Sequence, residues 1–421
     1  MDDPDMMATS NVELEAASAP TGWSANSVAL REKIADKTAE VCLRAHSPHV
    51  LALVLTGSVA RDEATWVPQG TGRKLLGDAE FLLVFQPGFS EPPPASIERL
   101  EQEIQTALGR EGIVAHVQLA PVHPRYFRDL QPRVFAYELQ QCGRVVWGDA
   151  SILALIPHFT AADIPLEDAW RLLANRMIEF LEAATEVENV GQEMPDLLRY
   201  RTAKLYLDMA TSLLLFAGLY APGYEERQRR LQRLADGAQA GESWPFPLGP
   251  FAQQVSLATA LKLQGTCRSG TAGGVESWKE ALRYARLLWD WELARLVEAP
   301  AGHDGGELMR RWMRRQSLAG LRGWMFAWRA CGWLRSFPNW PRWLRLASGG
   351  SPRYWVYLAA HILFCQLPAA LSGGAEAKEF AAALRALPLV RHADKGQAPS
   401  WKQLVDEVAW NYHRLVEPTR A

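Results

Sequence analysis

One stretch in the first quarter of the chain constrains the fold more than any other. Residues 51–55 form an apolar run with the length and composition of a buried strand, and this run ends in a tight turn at Gly57 and Ser58. A second apolar strand, residues 78–85, opens with Asp78 and Glu80. Because side chains alternate across a strand, both carboxylates should point to the same face, close enough to share one cation.

Between these two strands the sequence favours a helix start over residues 59–64 and then a loop over residues 66–77, which is rich in Gly, Pro and basic residues. Gly57 lets the backbone approach a phosphate closely, and the Ser58 hydroxyl can donate a hydrogen bond to it. The N-terminus of the following helix would favour negative charge. The turn is therefore a candidate phosphate-binding element.

The carboxylate pair matches the needs of a hard metal ion. Mg²⁺ takes oxygen ligands, is commonly held by one or two carboxylates, and leaves its other positions to water and substrate phosphates. Asp78 and Glu80 are therefore candidate ligands for Mg²⁺, with Mn²⁺ as the alternative ion. The competing interpretation is an ordinary edge strand with Asp78 as a solvated opener. It leaves Glu80, inside an apolar strand, without a role.

The Gly57-Ser58 turn with Arg61, followed by Asp78 and Glu80, resembles the DNA polymerase β-like nucleotidyltransferase superfamily. The resemblance is to the small bacterial branch that includes the aminoglycoside nucleotidyltransferases. It implies that the two carboxylates bind magnesium and that the turn holds a nucleoside triphosphate, with Arg61 as a further candidate for neutralising phosphate charge. Residues 143–149 are similar to the segment that closes the catalytic domain in that family.

The third predicted strand, residues 113–122, departs from the family pattern. Relatives generally place a third carboxylate here, and the matching position in this chain is Gln118. A neutral amide cannot deprotonate an attacking hydroxyl. His116 lies on the same strand face and could act as the base, since an imidazole takes up protons near neutral pH. The alternatives are a water molecule held by Gln118, or a His116 that is only an exposed strand residue.

Composition limits the class of protein. The 421 residues are 48% hydrophobic and 22% charged, which indicates a soluble globular chain of two or three domains. The net charge of −2 predicts no global attraction to nucleic acid or to anionic membranes. Five scattered cysteines without metal-site spacing, an acidic N-terminus and no apolar stretch long enough to span a bilayer predict a cytoplasmic protein without a signal peptide or a membrane span.

The order of the predicted elements indicates an α+β fold, with a small mixed-sheet nucleotidyltransferase domain followed by a large all-helical region. Its expected parts are a mobile leader (1–24), the α/β domain (25–160), a helical domain covering the cleft (161–300) and an Arg/Trp-rich helical C-terminal region (301–421). Arg199, Arg201 and Lys204, near the start of one predicted helix, are candidate phosphate contacts. The alternative is a solvated helix face.

Residues 308–355 interleave arginine with tryptophan, and residues 308–375 contain no Asp or Glu. This composition is compatible with a surface that stacks on bases and pairs with phosphates, so nucleic acid is one candidate partner. A membrane surface is a second candidate. The interpretation that we favour is a helical core packed by the tryptophans, with the arginines extending to solvent around it.

These features predict a nucleotidyltransferase. It would move a nucleoside monophosphate from a nucleoside triphosphate to a hydroxyl acceptor, with magnesium-dependent release of pyrophosphate. The alternative is a nucleotide-binding scaffold or sensor that has lost transfer activity, which the neutral Gln118 favours. The sequence leaves open which nucleotide is used and which acceptor receives it.

Overall fold

We describe the fold from a computed structural model of the chain. The structure describes residues 25–186, 196–238, 243–264, 275–300, 302–332, 339–371, 374, 377–391 and 399–417. The predicted leader, residues 1–24, lies outside these ranges. The four described cysteines are free thiols: Cys42 and Cys331 are buried, and Cys142 and Cys365 are partly buried.

A five-stranded sheet organises the first part of the chain. Its strands are β1 (Val50–Thr56), β2 (Thr65–Gln69), β3 (Gly72–Phe85), β4 (Ile113–Val122) and β5 (Arg144–Gly148). The long strand β3 pairs antiparallel with β2 through its first half and with β1 through its second half, and it pairs parallel with β4 along its other edge. Strand β5 pairs antiparallel with β1. The α+β class and the small mixed sheet are thus confirmed.

Both faces of this sheet are covered, because successive strand residues point to opposite sides. Leu53 and Phe81 face α1 (Ala25–His46) and α3 (Pro94–Arg110), whereas Val54 and Leu82 face the side covered by short helices. The short helices are α4 (Pro124–Arg128) and α5 (Val134–Cys142), whereas Val59 and Ala60 of the single-turn helix α2 (Gly57–Ala60) pack on the side of α1 and α3.

The loop predicted over residues 66–77 is wrong, because most of this segment is a β-hairpin. Strands β2 and β3 pair from Thr65 with Leu76 to Gln69 with Gly72, which leaves a turn of two residues. Gly70 begins this turn at φ +57°, a conformation that glycine adopts at no steric cost. Trp66 and Val67, residue types that favour strands, lie in β2, whereas composition alone assigned them to a loop.

Two helix predictions are also corrected. The helix expected over residues 59–64 is the single turn α2, after which Asp62 adopts φ +60°. The helix expected over residues 128–141 is divided into α4 and α5. Pro132 lies between them, and a proline disfavours helical geometry in the residue before it.

The remaining described elements are helical. They are α6 (Leu166–Thr185), α7 (Asp196–Phe216), α8 (Tyr224–Gly237), α9 (Leu248–Gln264), α10 (Val275–Leu296), α11 (Gly305–Arg315), α12 (Ser317–Cys331), α13 (Trp340–Ala347), α14 (Pro352–Leu371), α15 (Ala377–Ala386) and α16 (Trp401–Leu415). One hydrophobic core extends from Trp170 to Val416, so the segments predicted as 161–300 and 301–421 share it. Among the described helices, none is both long and apolar enough to cross a membrane.

The Arg/Trp-rich segment contributes to this core. Trp312, Trp324 and Trp343 are buried, and the indole N–H groups of Trp324 and Trp343 donate to the carbonyls of Gly350 and Pro388. Neighbouring arginines have structural partners as well: Arg342 and Arg345 donate to backbone carbonyls at the C-terminal end of α15. The favoured interpretation, core packing, accounts for these tryptophans. Trp333 lies outside the described residues, and nucleic acid binding stays a prediction.

Two hydrogen bonds attach the helices to the hairpin. The Tyr200 hydroxyl on α7 donates to the carbonyl of Leu76 at 2.7 Å, and the Thr65 hydroxyl on β2 donates to the carbonyl of Lys262 on α9 at 2.6 Å. These bonds hold α7 beside β3 and leave a cleft between the sheet and the helices.

Candidate functional site

A cleft of about 760 Å³ opens between strands β3 and β4 on one side and helices α6, α7 and α16 on the other. Its sheet wall carries four of the residues predicted from the sequence. These are Asp78, Glu80, His116 and Gln118. Its helical wall carries Arg176, Glu179, Arg201 and Lys204, among others.

Parallel pairing of β3 with β4 sets the positions of the four predicted residues. Asp78 is paired with His116, and Glu80 with Gln118. All four side chains line the cleft, so the shared face predicted from strand alternation is the one observed. The His116 Nδ1 atom lies 3.0 Å from Asp78 Oδ1, which makes a hydrogen bond between an imidazole and a carboxylate. Gln118 is the residue opposite Glu80, where the family resemblance expects a third acid.

The turn at Gly57 lies against the side chain of Glu80, which lines the cleft. Gly57 has φ +70°, and a Cβ atom placed on it would lie only 2.7 Å from Glu80 Oε2. A side chain at this position would be strained by the positive φ and would displace the Glu80 carboxylate, whereas glycine avoids both effects. Ser58 is partly buried, and both Gly57 and Ser58 belong to α2, which is a single turn of helix. Neither residue lines the cleft directly. The predicted contact of this turn with phosphates stays a prediction.

Glu80 is a partly buried acid that forms no hydrogen bond or ion pair with any described residue. Burial raises its pKa, and the neighbouring Asp78 charge raises it further, although Arg61 and Lys204 oppose these effects from a distance. A carboxylate that is desolvated and close to a second carboxylate is unfavourable when ionised. A cation bound between Asp78 and Glu80 would remove this cost.

Arg61 was expected to neutralise phosphate charge, but the structure places it in buried ion pairs. Its side chain is only 8% exposed, and it pairs with Glu63, at 2.8 Å, and with Glu138. Glu138 also pairs with Arg227 and accepts a hydrogen bond from the Tyr220 hydroxyl. The Glu138 carboxylate thus joins the sheet part of the chain, through Arg61, to the helical part, through Arg227 and Tyr220. Arg61 does not line the cleft, and its two carboxylate partners already neutralise it.

The helical side of the cleft carries both signs of charge: Arg176, Arg201, Lys204 and His413 are basic, and Glu179, Glu182, Glu186 and Glu417 are acidic. Arg176 pairs with Glu179 and Asp208, and Arg201 pairs with Glu179. The Arg176 charge and burial lower the pKa of Lys204 to about 8. Of the three basic residues predicted near the start of this helix, Arg201 and Lys204 line the cleft, whereas Arg199 lines a different cavity.

A second lysine lies behind this wall. Lys262 on α9 is buried, and its Nζ atom lies 3.4 Å from the Tyr200 hydroxyl. Burial, together with the nearby Lys204, lowers the pKa of Lys262 to about 7. Two lysines with lowered pKa values beside a carboxylate pair are typical of functional sites. The lysines therefore add to the evidence from geometry.

Sequence reasoning missed Arg176, Tyr200 and Lys262. Arg176 and Glu179 are oppositely charged residues three positions apart in α6, a spacing that brings side chains together on a helix and could have been noticed. Lys262 had no comparable signal, because its place near the site depends on how α9 packs against β2 and α7.

The acidic pair is small for a metal site. In the part of the chain that the structure describes, no group of three or more His, Cys, Asp or Glu side chains is placed to hold a metal ion. Magnesium does not require such a group, since one or two carboxylates with water and substrate phosphates suffice. The partly buried Glu80, which has no partner among the described residues, and the adjacent Asp78 fit a divalent cation whose coordination is completed by a nucleotide.

Comparison of the chain with protein-family models, with curated proteins and with solved structures gave no match. We therefore infer function from the geometry of the cleft and from the motif resemblance.

Proposed function

We propose that this protein is a magnesium-dependent nucleotidyltransferase, which moves a nucleoside monophosphate from a nucleoside triphosphate to a hydroxyl acceptor. The observation that carries the proposal is the close approach of the Gly57 turn to Glu80, with Asp78 on the same face and no basic partner for Glu80 among the described residues. Arg201 and Lys204 lie on the wall opposite Asp78 and Glu80, and their N–H groups can donate hydrogen bonds to phosphate oxygens.

In this function Asp78 and Glu80 hold the metal ion. Bound magnesium supplies electrostatic stabilisation of the phosphates and of the pyrophosphate leaving group. Lys204 and Arg201 orient the triphosphate from the opposite wall. Because Gly57 has no side chain, it leaves space for the nucleotide to approach Glu80.

The transfer step needs a group that accepts the proton of the acceptor hydroxyl. The hydroxyl oxygen forms a bond to the α-phosphorus, and the bond between that phosphorus and the pyrophosphate oxygen breaks. His116 is placed to take the proton, because its ring lines the cleft and is oriented by the 3.0 Å contact with Asp78. Gln118 can hold a water molecule but cannot itself accept the proton.

A second candidate function is a nucleotide-binding scaffold or sensor without transfer activity. One observation favours it: Gln118, a neutral residue, is paired with Glu80 where a third carboxylate is expected. Such a protein would still bind the magnesium nucleotide at Asp78 and Glu80.

The decisive experiment is titration calorimetry with the four nucleoside triphosphates, with and without magnesium. The double variant Asp78→Asn/Glu80→Gln should abolish magnesium-dependent binding, because both charged ligands are removed. As the matched control, Asp129→Asn removes an exposed acid that pairs with Arg125 outside the cleft, and it should leave binding unchanged.

Absence of magnesium-dependent binding to the wild-type protein would refute both candidate functions. Binding that persists in the double variant would show that the metal site is misplaced. The two functions are then separated by pyrophosphate release in the presence of a panel of hydroxyl compounds, since only a transferase releases pyrophosphate.

A further inference from the structure

The most exposed large hydrophobic side chains in the described part of the chain lie on two neighbouring helices, α12 and α13. Leu344 on α13 is 71% exposed, and Leu321 and Met325 on α12 are 64% and 61% exposed. Elsewhere in the described residues the highest value is 44%, for Val114. Trp340 on α13 is exposed as well. Single exposed apolar residues are normal, whereas a cluster of them indicates an interaction surface.

Helical spacing places these side chains in one stripe. Leu321 and Met325 are one helical turn apart, and Trp328 follows Met325 by another turn, so the three share one face of α12. Trp340 and Leu344 share one face of α13 in the same way. The rings of Trp328 and Trp340 lie 6.4 Å apart between centroids, edge to face, and thereby connect the two faces. We call these five residues the apolar stripe.

The other sides of α12 and α13 are fixed in the helical core. Trp324 and Ala327 of α12 are buried, as are Trp343 and Leu346 of α13. The rings of Trp324 and Trp343 lie 5.5 Å apart between centroids, so the two helices pack against each other through their buried sides. The apolar stripe therefore belongs to a packed pair of helices.

Three arginines next to the apolar stripe have no acidic partner. Arg322 and Arg329 lie one turn before and one turn after Met325, both are exposed, and neither guanidinium forms a hydrogen bond or an ion pair with a residue that the structure describes. Arg345 is exposed and donates to a backbone carbonyl at the end of α15, which leaves its charge in place. Residues 308–375 contain no Asp or Glu. We call the apolar stripe with these three arginines the docking face.

The docking face has the chemistry that fits an anionic lipid membrane. Amphipathic helices lie in the membrane interface with their apolar side chains toward the acyl chains and their basic side chains at the headgroups. A tryptophan ring suits the boundary between these two layers. The net charge of the whole chain is −2, so attraction to a negative surface has to come from the local charge of this face.

Nucleic acid fits the docking face less well. Bases stack on exposed aromatic rings, but the three most exposed apolar side chains here are not aromatic. Three tryptophans of the same segment, Trp312, Trp324 and Trp343, are buried and cannot serve as a stacking surface.

A second copy of the chain fits less well for a different reason. A symmetric interface would place the docking face against itself. It would bring Arg322, Arg329 and Arg345 of one copy close to the same arginines of the other. Like charges that face each other across an interface disfavour association, and residues 308–375 supply no acid to separate them.

We propose that the docking face binds the protein to the surface of an anionic lipid membrane. Leu321, Met325 and Leu344 enter the boundary between headgroups and acyl chains, and Arg322 and Arg329 pair with lipid phosphates and carboxylates. This interaction goes beyond nucleotide transfer, and it does not depend on the residues that line the candidate site.

Vesicle flotation with the full chain tests the apolar part of the proposal. The wild-type protein should bind vesicles of phosphatidylcholine and phosphatidylserine in equal parts, and it should bind pure phosphatidylcholine much more weakly. Leu321→Ser/Leu344→Ser should lower the partition onto the mixed vesicles about tenfold, because two side chains lose their apolar contact. The matched control, Leu166→Ser/Leu287→Ser, changes exposed leucines of α6 and α10 and should leave the partition unchanged.

The charged part of the proposal is tested with Arg322→Gln/Arg329→Gln. This variant should lower the partition onto the mixed vesicles about tenfold, which is the loss expected for two arginines at an anionic surface. Its remaining binding should depend less on salt concentration than that of the wild-type protein. The matched control, Arg99→Gln/Arg110→Gln, changes two exposed arginines of α3 and should bind like the wild-type protein.

Three results of the flotation assays would overturn the proposal. They are absence of binding of the wild-type protein to the mixed vesicles, a wild-type partition for the leucine variant, and a wild-type partition for the arginine variant. Thermal unfolding of each variant establishes that a loss of binding is not a loss of folding. Because all the substituted side chains are exposed, we expect unchanged melting temperatures.

Further measurements distinguish the other partners. If the wild-type protein binds single-stranded oligouridine RNA and not the mixed vesicles, the face serves nucleic acid and the proposal fails. If sedimentation velocity shows a dimer that Leu321→Ser/Leu344→Ser converts to a monomer, the face joins two copies and the proposal fails as well. Asp78→Asn/Glu80→Gln should bind the mixed vesicles like the wild-type protein, so this proposal and the proposed function can fail separately.

Discussion

Two groups of charged side chains lie at the junction between the sheet and the helices, and they differ in how their charges are balanced. In the closed network, Glu63 and Glu138 pair with the buried guanidiniums of Arg61 and Arg227. At the acidic edge of the cleft, Asp78 is the charged group that shifts the pKa of Glu80 most, and Glu80 pairs with none of the described basic residues.

This difference in charge balance shifts the pKa values of Glu80 and Glu138, two partly buried glutamates, in opposite directions. Burial by itself would raise both. For Glu138 the charges of Arg61 and Arg227 outweigh burial and lower the pKa, whereas for Glu80 the Asp78 charge adds to burial and raises it. A balanced charge stabilises the fold, while an unbalanced charge reduces stability unless a ligand compensates it. By this criterion Glu138 is an acid that stabilises the fold, and Glu80 is a candidate for binding a ligand.

The largest expected effect is on the closed network. Glu138→Ala should lower the free energy of unfolding by about 3–5 kcal/mol, because it leaves two buried arginines without their shared partner. Urea denaturation at neutral pH measures the change. Glu103→Ala, which removes an exposed acid paired with Arg44, should cost less than about 1 kcal/mol. Equal losses in the two variants would contradict a structural role for the network.

A smaller effect, on nucleotide affinity, is expected for Lys204 on the helical wall of the cleft. Lys204→Met should weaken binding of magnesium nucleotide about tenfold, which is the loss expected for one charge-assisted contact to phosphate. Calorimetry at pH 7 measures the change. A lysine on the exposed side of α1, Lys33, provides the matched control Lys33→Met, which should not alter nucleotide affinity.

The pH dependence sharpens this test. Because the pKa of Lys204 is lowered to about 8, its ammonium is mostly charged at pH 7 and mostly neutral at pH 9. Nucleotide affinity of the wild-type protein should therefore fall as the pH rises through 8, and the profile of Lys204→Met should be flatter across that range. Parallel profiles for the two proteins would show that Lys204 does not contact the nucleotide.

The acidic edge was accessible from the sequence, and the closed network was not. Strand alternation placed Asp78 and Glu80 on one face, and the apolar run of residues 113–122 matches the bounds of β4, because both inferences depend on local pattern. Arg61 shows the limit. Its motif position suggested a phosphate contact, but its partner Glu138 lies 77 positions away in the sequence, and only the packing of α5 brings the two together.

The same limit applies to the helical side of the cleft. Arg176, Arg201 and Lys262 belong to three helices, and no spacing rule connects them. The absence of acids over residues 308–375 was visible, but composition could not distinguish arginines that cap helix carbonyls, such as Arg342, from those that line a cavity, such as Arg353. That distinction arises from tertiary packing.

The smallest expected effect tests the comparison most directly, because its sign is opposite to that of Glu138→Ala. In metal-free buffer at pH 7, Glu80→Gln should raise the free energy of unfolding by about 1 kcal/mol, within the range typical of stabilising substitutions at functional positions. The raised pKa of Glu80 means that its contribution to stability is fully present below about pH 4.5 and is lost as the pH rises through the folded-state value.

The gain from Glu80→Gln should therefore shrink as the pH is lowered toward 4.5, where the wild-type carboxyl becomes protonated. It should also shrink when magnesium and nucleotide are added, since the ligands stabilise only the wild-type protein. Urea denaturation at several pH values, with and without magnesium nucleotide, measures both trends. A destabilised Glu80→Gln protein in metal-free buffer at pH 7 would mean that Glu80 is a structural acid like Glu138, and the distinction between the two groups would not hold.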